Sequence, residues 1–147
     1  MKILFLFFSL LFAATSQHQE HANIKNGVGL QGYDPVTYFE GDQPLQGIKS
    51  ISAIHDGVTY YFVSEEHQRD FQASPDSYLP EYGGWCAYAI GASGDKVKVD
   101  PKTYKILDGK LYLFYNFKGY NTLDDWNKDE SNLLVRANTY WAGILTK

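Results

Sequence analysis

One thiol stands in this chain, Cys86, in the run Tyr82-Gly83-Gly84-Trp85-Cys86-Ala87-Tyr88. A thiol can attack an electrophile, bind a soft or borderline metal, or pack as a small apolar group. Gly83 and Gly84 allow backbone or ligand to approach closely. Tyr82, Trp85 and Tyr88 offer aromatic walls for an apolar pocket. A helix starting near Trp85 would lower the pKa of the thiol. Tyr82, Gly83, Gly84, Trp85, Cys86 and Tyr88 are therefore the expected ligand pocket. Exported proteins usually pair their cysteines or avoid them, and this chain reads as exported. Three readings of Cys86 stay open at this point: ligand to a metal or small molecule, nucleophile, or inert core.

Other groups with chemistry are sparse. Asp34 precedes Pro35, where an aspartate serves turn formation, and its carboxylate is also available as a metal ligand. His55 lies beside Asp56-Gly57 at an expected hairpin tip and should face solvent. His18 and His21, three apart in a polar stretch, would bind copper or zinc only weakly. The sequence holds no Gly-Xaa-Ser-Xaa-Gly, no His-Glu-Xaa-Xaa-His, no Cys-Xaa-Xaa-Cys and no phosphate-cradling glycine loop.

The start of the chain has the form of a signal peptide. Lys2 precedes an apolar run over Ile3 to Phe12, and Ala14-Thr15-Ser16 supplies the small residues of a cleavage site. The run is about 10 residues, half of what a membrane span requires. Cleavage after Ser16 is expected, with no cysteine nearby for a lipid anchor and no stable membrane anchor afterwards. The destination is periplasmic or secreted. The net charge is −4 and no Lys/Arg cluster occurs, which argues against nucleic acid and anionic membrane surfaces as partners. Twelve tyrosines against one methionine suit a small, strand-rich domain.

The elements that must position these groups follow from local patterns. Residues 17–28 read as a flexible lead-in, and 29–147 as one domain. Ser50 to His55 and Val58 to Val63 flank Asp56-Gly57 and predict a hairpin. Tyr104 to Leu107 and Leu111 to Asn116 flank Asp108-Gly109 and predict another. Ser64 caps a short helix over His67 to Ala73, with Phe71 inward. Trp85 to Ile90 reads as strand or helix, and Val97 to Pro101 as a strand entering a turn. Thr122 opens a C-terminal helix with Trp126, Leu133, Leu134, Ala137, Tyr140 and Trp141 as its apolar stripe. The predicted class is α+β: a small antiparallel sheet of hairpins, with short helices and a C-terminal helix packed on it.

Gly32-Tyr33-Asp34-Pro35-Val36-Thr37-Tyr38-Phe39, Tyr61-Phe62-Val63-Ser64 with Phe71, Pro75-Asp76-Ser77-Tyr78 and Tyr82-Gly83-Gly84-Trp85-Cys86-Ala87, in that order, resemble the YHS domain family. Asp100-Pro101 and Asp108-Gly109-Lys110-Leu111-Tyr112-Leu113 resemble its longer, secreted branch. The resemblance spans 29–141. Metal-type YHS and TRASH domains, found beside heavy-metal transporters and metal sensors, carry three cysteines. Those positions fall here on Thr37, Val63 and His67, so the usual three-thiolate site does not form. The resemblance implies the fold, and it makes His67 a ligand or proton donor facing Cys86.

The leading expectation is an exported, non-enzymatic YHS-like domain. It would bind copper, zinc or a small ligand near Cys86 and His67, with Asp34 as a third metal ligand. One alternative is a thiol enzyme with Cys86 as nucleophile and His67 as base. Another is a structural or interaction domain with Cys86 buried and inert.

Overall fold

A computed structural model describes residues 17–147 of the chain. The signal peptide expected over 1–16 lies outside the described residues. No helix among those described is long and apolar enough to cross a membrane.

The protein is α+β. A short helix α1 (Gln17–His21) leads into β1 (Ile24–Lys25) and β2 (Val28–Gly29). The first long hairpin follows, β3 (Ile48–His55) and β4 (Val58–Phe62), and then α2 (Glu65–Ala73) and α3 (Ala87–Ser93). The second long hairpin is β5 (Asp100–Leu107) and β6 (Lys110–Phe114), succeeded by the small pair β7 (Asn116–Phe117) and β8 (Tyr120–Asn121). Two helices close the chain, α4 (Thr122–Lys128) and α5 (Glu130–Leu145).

The strands form one four-stranded sheet in the order β1-β2-β4-β3 and two separate two-stranded ribbons. The larger sheet is mixed, because β2 meets β4 in parallel at Val28 and Thr59. Both expected hairpins are present, with Asp56-Gly57 and Asp108-Gly109 at their turns. Asn26-Gly27 and Lys118-Gly119 make two more turns of the same kind. In all four, both residues have positive φ, from 48° to 78°. That is the turn whose twist matches paired strands, and glycine adopts its second position without steric cost.

The second hairpin divides two cores. Along β6 successive side chains point to opposite faces. Leu111 and Leu113 join Val36, Tyr38, Val58, Phe62, Phe71 and Cys86. Tyr112 and Phe114 join Tyr82, Ile90, Trp126, Leu133 and Ala137. Both faces are covered, so the strand sequence Leu-Tyr-Leu-Phe shows no polar alternation. Gly91 lets α3 reach α5 closely, since a Cβ there would lie 2.7 Å from the Leu133 carbonyl oxygen.

One open expectation is resolved and three others are revised. Trp85 to Ile90 resolves as the approach to α3 and its first turns. The strand expected from Val97 starts at Asp100 instead, because Val97 and its neighbours form an irregular connection whose Val97 carbonyl accepts the Cys86 N–H (3.0 Å). The C-terminal helix is two helices. The chain breaks at Asp129 (φ −146°, ψ 40°), whose carboxylate accepts from the Asn132 amide (2.6 Å), a local bond that competes with helix continuation. The expected lead-in over 17–28 is tied down. Asn23 donates its N–H to the Gly83 carbonyl (2.8 Å) and its side-chain amide to the Gly84 carbonyl (3.0 Å).

Candidate functional site

Asp34 is fully buried and gathers the first half of the domain around its carboxylate. One oxygen accepts the Val36 N–H (2.8 Å), which fixes the turn at Pro35. The other accepts the Val63 N–H at the end of β4 (2.8 Å) and His67 Nδ1–H (2.7 Å). The Asp34 backbone carbonyl accepts the Thr37 hydroxyl (2.7 Å). Thr37, Val63 and His67, the three positions singled out by the YHS resemblance, therefore all bond to Asp34.

His67 sits in the first turn of α2, where its N–H is capped by the Ser64 hydroxyl (3.2 Å). Its Nε2 lies 3.0 Å from the Glu40 carboxylate, so both ring nitrogens face carboxylates. Burial works against the imidazolium charge. The hydrogen bond to Asp34 and the charges of Asp34, Glu40 and Asp70 outweigh it and raise the pKa above the ordinary 6.5. A raised pKa means the folded state binds the proton more tightly than the unfolded chain does. Its stabilisation is complete below about pH 6.5 and is lost as pH rises through the folded value. Urea unfolding across pH 6 to 9 should show stability falling with pH, and His67→Gln should flatten that slope. An unchanged slope in His67→Gln would contradict this assignment.

Cys86 lies elsewhere, immediately before α3, with no exposed surface. The Tyr115 N–H donates to its sulfur (3.4 Å), and the sulfur lies 3.3 Å from the Thr122 hydroxyl oxygen. That hydroxyl donates its only proton to the Tyr115 carbonyl (3.0 Å). The remaining assignment has the thiol donating to Thr122, so the sulfur carries its proton and both its bonds are made. The sulfur of Cys86 bonds to Tyr115 and Thr122, whereas the ring of His67 bonds to Asp34 and Glu40. Among the described residues no three His, Cys, Asp or Glu side chains are grouped to hold a metal ion. The expected Cys86–His67–Asp34 set is thus split: Asp34 and His67 meet, and Cys86 does not join them. A disulfide-exchange reagent such as DTNB should leave the native thiol unmodified and label it fully in denaturant. Rapid stoichiometric labelling of the native protein would contradict the closed site.

The six residues expected to form one pocket also separate. Tyr82, Gly83 and Gly84 form a left-handed run (φ 55°, 61° and 81°) that swings their surroundings apart. Gly83 and Gly84 border a small, partly open hollow of about 20 Å³ with Asn23, Leu30 and Tyr60, space for roughly one water. Tyr82 turns into the second core, and its hydroxyl donates to Asn138 (2.9 Å). Trp85 donates its indole N–H to the His21 carbonyl (2.7 Å). Its partner His21 has Nδ1 3.0 Å from the Lys96 ammonium, while the side chain of His18 lies outside the described part of the chain. His55 leans on Phe71 with 6.1 Å between ring centroids.

Tyr88 alone of the aromatic trio stays with Cys86. Together with Ala89, Ala92, Ser93, Val97, Tyr115, Tyr120 and Thr122 they line an open groove of about 400 Å³. Tyr115, Tyr120 and Val97 were not foreseen as site residues. The signal was the Lys118-Gly119 turn between flanking aromatics, which folds Tyr120 back beside Tyr115, with 6.2 Å between ring centroids. The groove offers aromatic and aliphatic surface over a closed thiol.

Comparison with known protein families, with characterised proteins and with solved structures found no match to this chain.

Proposed function

We propose that the protein is an exported, non-enzymatic binding module of YHS-like architecture, and that its site is the groove over α3. The observation that carries this reading is the groove itself. Its volume falls within the roughly 300–1,000 Å³ usual for small-molecule sites, and its walls are mostly apolar with a few hydroxyls. Cys86 forms part of the framework beneath it rather than a reactive group. The gathering of Thr37, Val63 and His67 about Asp34 supports the YHS-like architecture. It also shifts the weight from metal to ligand, since a carboxylate–imidazole network fills the centre of that cluster.

The test uses the neutral fluorophore N-phenyl-1-naphthylamine. It should bind saturably at one site with enhanced emission, and Ala92→Phe, which fills the groove from its half-buried rim, should abolish the enhancement without unfolding the protein. Emission unchanged by Ala92→Phe, or no saturable binding at all, would remove the groove as the site. Copper or zinc retained stoichiometrically by protein purified without chelator, and lost in His67→Ala, would return the metal reading to the lead.

A further inference from the structure

Tyr60 carries a hydroxyl into the interior without a partner. The residue is 3% exposed, and no described residue makes a hydrogen bond to that hydroxyl. Tyr38 and Tyr82, buried to the same degree, donate theirs to the Pro101 carbonyl (2.7 Å) and to Asn138 (2.9 Å). Buried polar groups in folded proteins are almost always paired, and an unpaired one costs stability. Burial, with the charge of Asp56, raises the Tyr60 pKa above the ordinary 10, so the phenol keeps its proton and offers a donor.

The neighbours of Tyr60 fix where that donor stands. The ring rises from β4 and packs on Phe71, with 5.0 Å between centroids. Its far end reaches Gly29 of β2. A Cβ on Gly29 would lie 2.5 Å from Cε1 and 3.0 Å from Cζ, the carbon that bears the hydroxyl. Gly29 and Tyr60 both border the hollow of about 20 Å³, which places the hydroxyl end of the ring at its wall.

Two side-chain amides border the same hollow. Asn23 donates its amide N–H to the Gly84 carbonyl (3.0 Å), and Gln31 donates its own to the Val99 carbonyl (3.2 Å). No described donor reaches the side-chain oxygen of either. Leu30 and Gln31 hold this wall at positive φ (53° and 52°), a costly conformation for residues other than glycine, kept only where the surroundings impose it.

The hollow thus meets one open donor and two open acceptors, the complement of a water molecule that accepts once and donates twice. A site needs about 10–15 Å³ to admit one water, so about 20 Å³ takes one and excludes a larger solute. We propose that this hollow is a built site for a single water, which accepts from the Tyr60 hydroxyl and donates to the side-chain oxygens of Asn23 and Gln31. The water joins β4 to the segment before β1 and to the turn after β2. This site is independent of the groove over α3.

The experiment combines a crystal structure at a resolution that shows ordered water with urea unfolding of Tyr60→Phe. The structure should show one oxygen within about 2.5–3.0 Å of the Tyr60 hydroxyl, an ordinary O–H···O distance. Phenylalanine keeps the ring and removes only the donor, so the sign of its effect is informative. A hydroxyl bonded to water stabilises the fold, and its loss should raise the unfolding equilibrium constant about fivefold. A hydroxyl without a partner is a cost, and its removal would make the protein more stable. No oxygen within reach of Tyr60, or a Tyr60→Phe variant more stable than wild type, would overturn the proposal. Density larger than a single oxygen would overturn it in favour of a small bound solute.

Discussion

Asp34→Ala is expected to destabilise the protein by about 3–5 kcal/mol, the range for breaking a buried charge pair by removing one partner. The carboxylate is fully buried, and three donors converge on it: Val36 N–H, Val63 N–H and His67. Alanine leaves two backbone N–H groups without acceptors and an imidazole facing only Glu40. It also disconnects three elements at once, the turn at Pro35, the end of β4 and the first turn of α2. Asn at this position keeps the shape but places an amide where two acceptors are needed, so Asp34→Asn should fall between wild type and Asp34→Ala. Urea denaturation at pH 6 measures both, since His67 is then largely protonated in the folded protein. A loss below about 1 kcal/mol for Asp34→Ala would mean that water replaces the carboxylate easily, and the clamp would not be the organising element of this half.

Trp126→Ala should cost a similar amount, about 3–5 kcal/mol, from lost transfer energy and the cavity left behind. Its indole is fully buried, packs on Tyr112 and Phe114 with centroids 5.9 and 5.6 Å away, and donates its N–H to Glu130 (2.9 Å). Glu130 is in turn paired with Lys105 of β5. Trp126 thus anchors α4 to the second hairpin, and α4 carries Thr122 and Asp125 to the groove. The variant should lose fluorophore binding even under conditions where circular dichroism shows it folded. Retained binding in a folded but destabilised Trp126→Ala would show that the groove does not depend on α4.

Much of the fold was legible in the sequence because it is encoded in local chemistry. Asp56-Gly57 and Asp108-Gly109 specify their turns through the backbone conformation they favour, and Ser64 caps α2 as a serine before two glutamates does. Asn26-Gly27 carried an equally strong turn signal, and reading it would have placed β1 and β2 inside the domain rather than in a lead-in. The site was less legible for a physical reason. Cys86 shares the first core with Phe71 of α2, and it misses His67 because the imidazole turns to Asp34 and Glu40 while the sulfur turns to Tyr115 and Thr122. Those partners are distant in sequence, and no local pattern marks them. The left-handed conformation of Tyr82, a non-glycine residue, was equally invisible, and it separates Tyr82 and Trp85 from Cys86. His67 and Asp34 were expected together with Cys86 as metal ligands. The structure makes them partners of each other.

The most direct test of the account is an amide NMR titration of the protein with N-phenyl-1-naphthylamine. The groove reading predicts saturable shifts at residues 88, 89, 92, 93, 97, 115, 120 and 122, with the amides of Asp34, Glu40, Val63 and His67 unmoved. Shifts centred on the Asp34–His67 cluster, or on Asn23, Gly83 and Gly84, would place the site elsewhere and contradict the account.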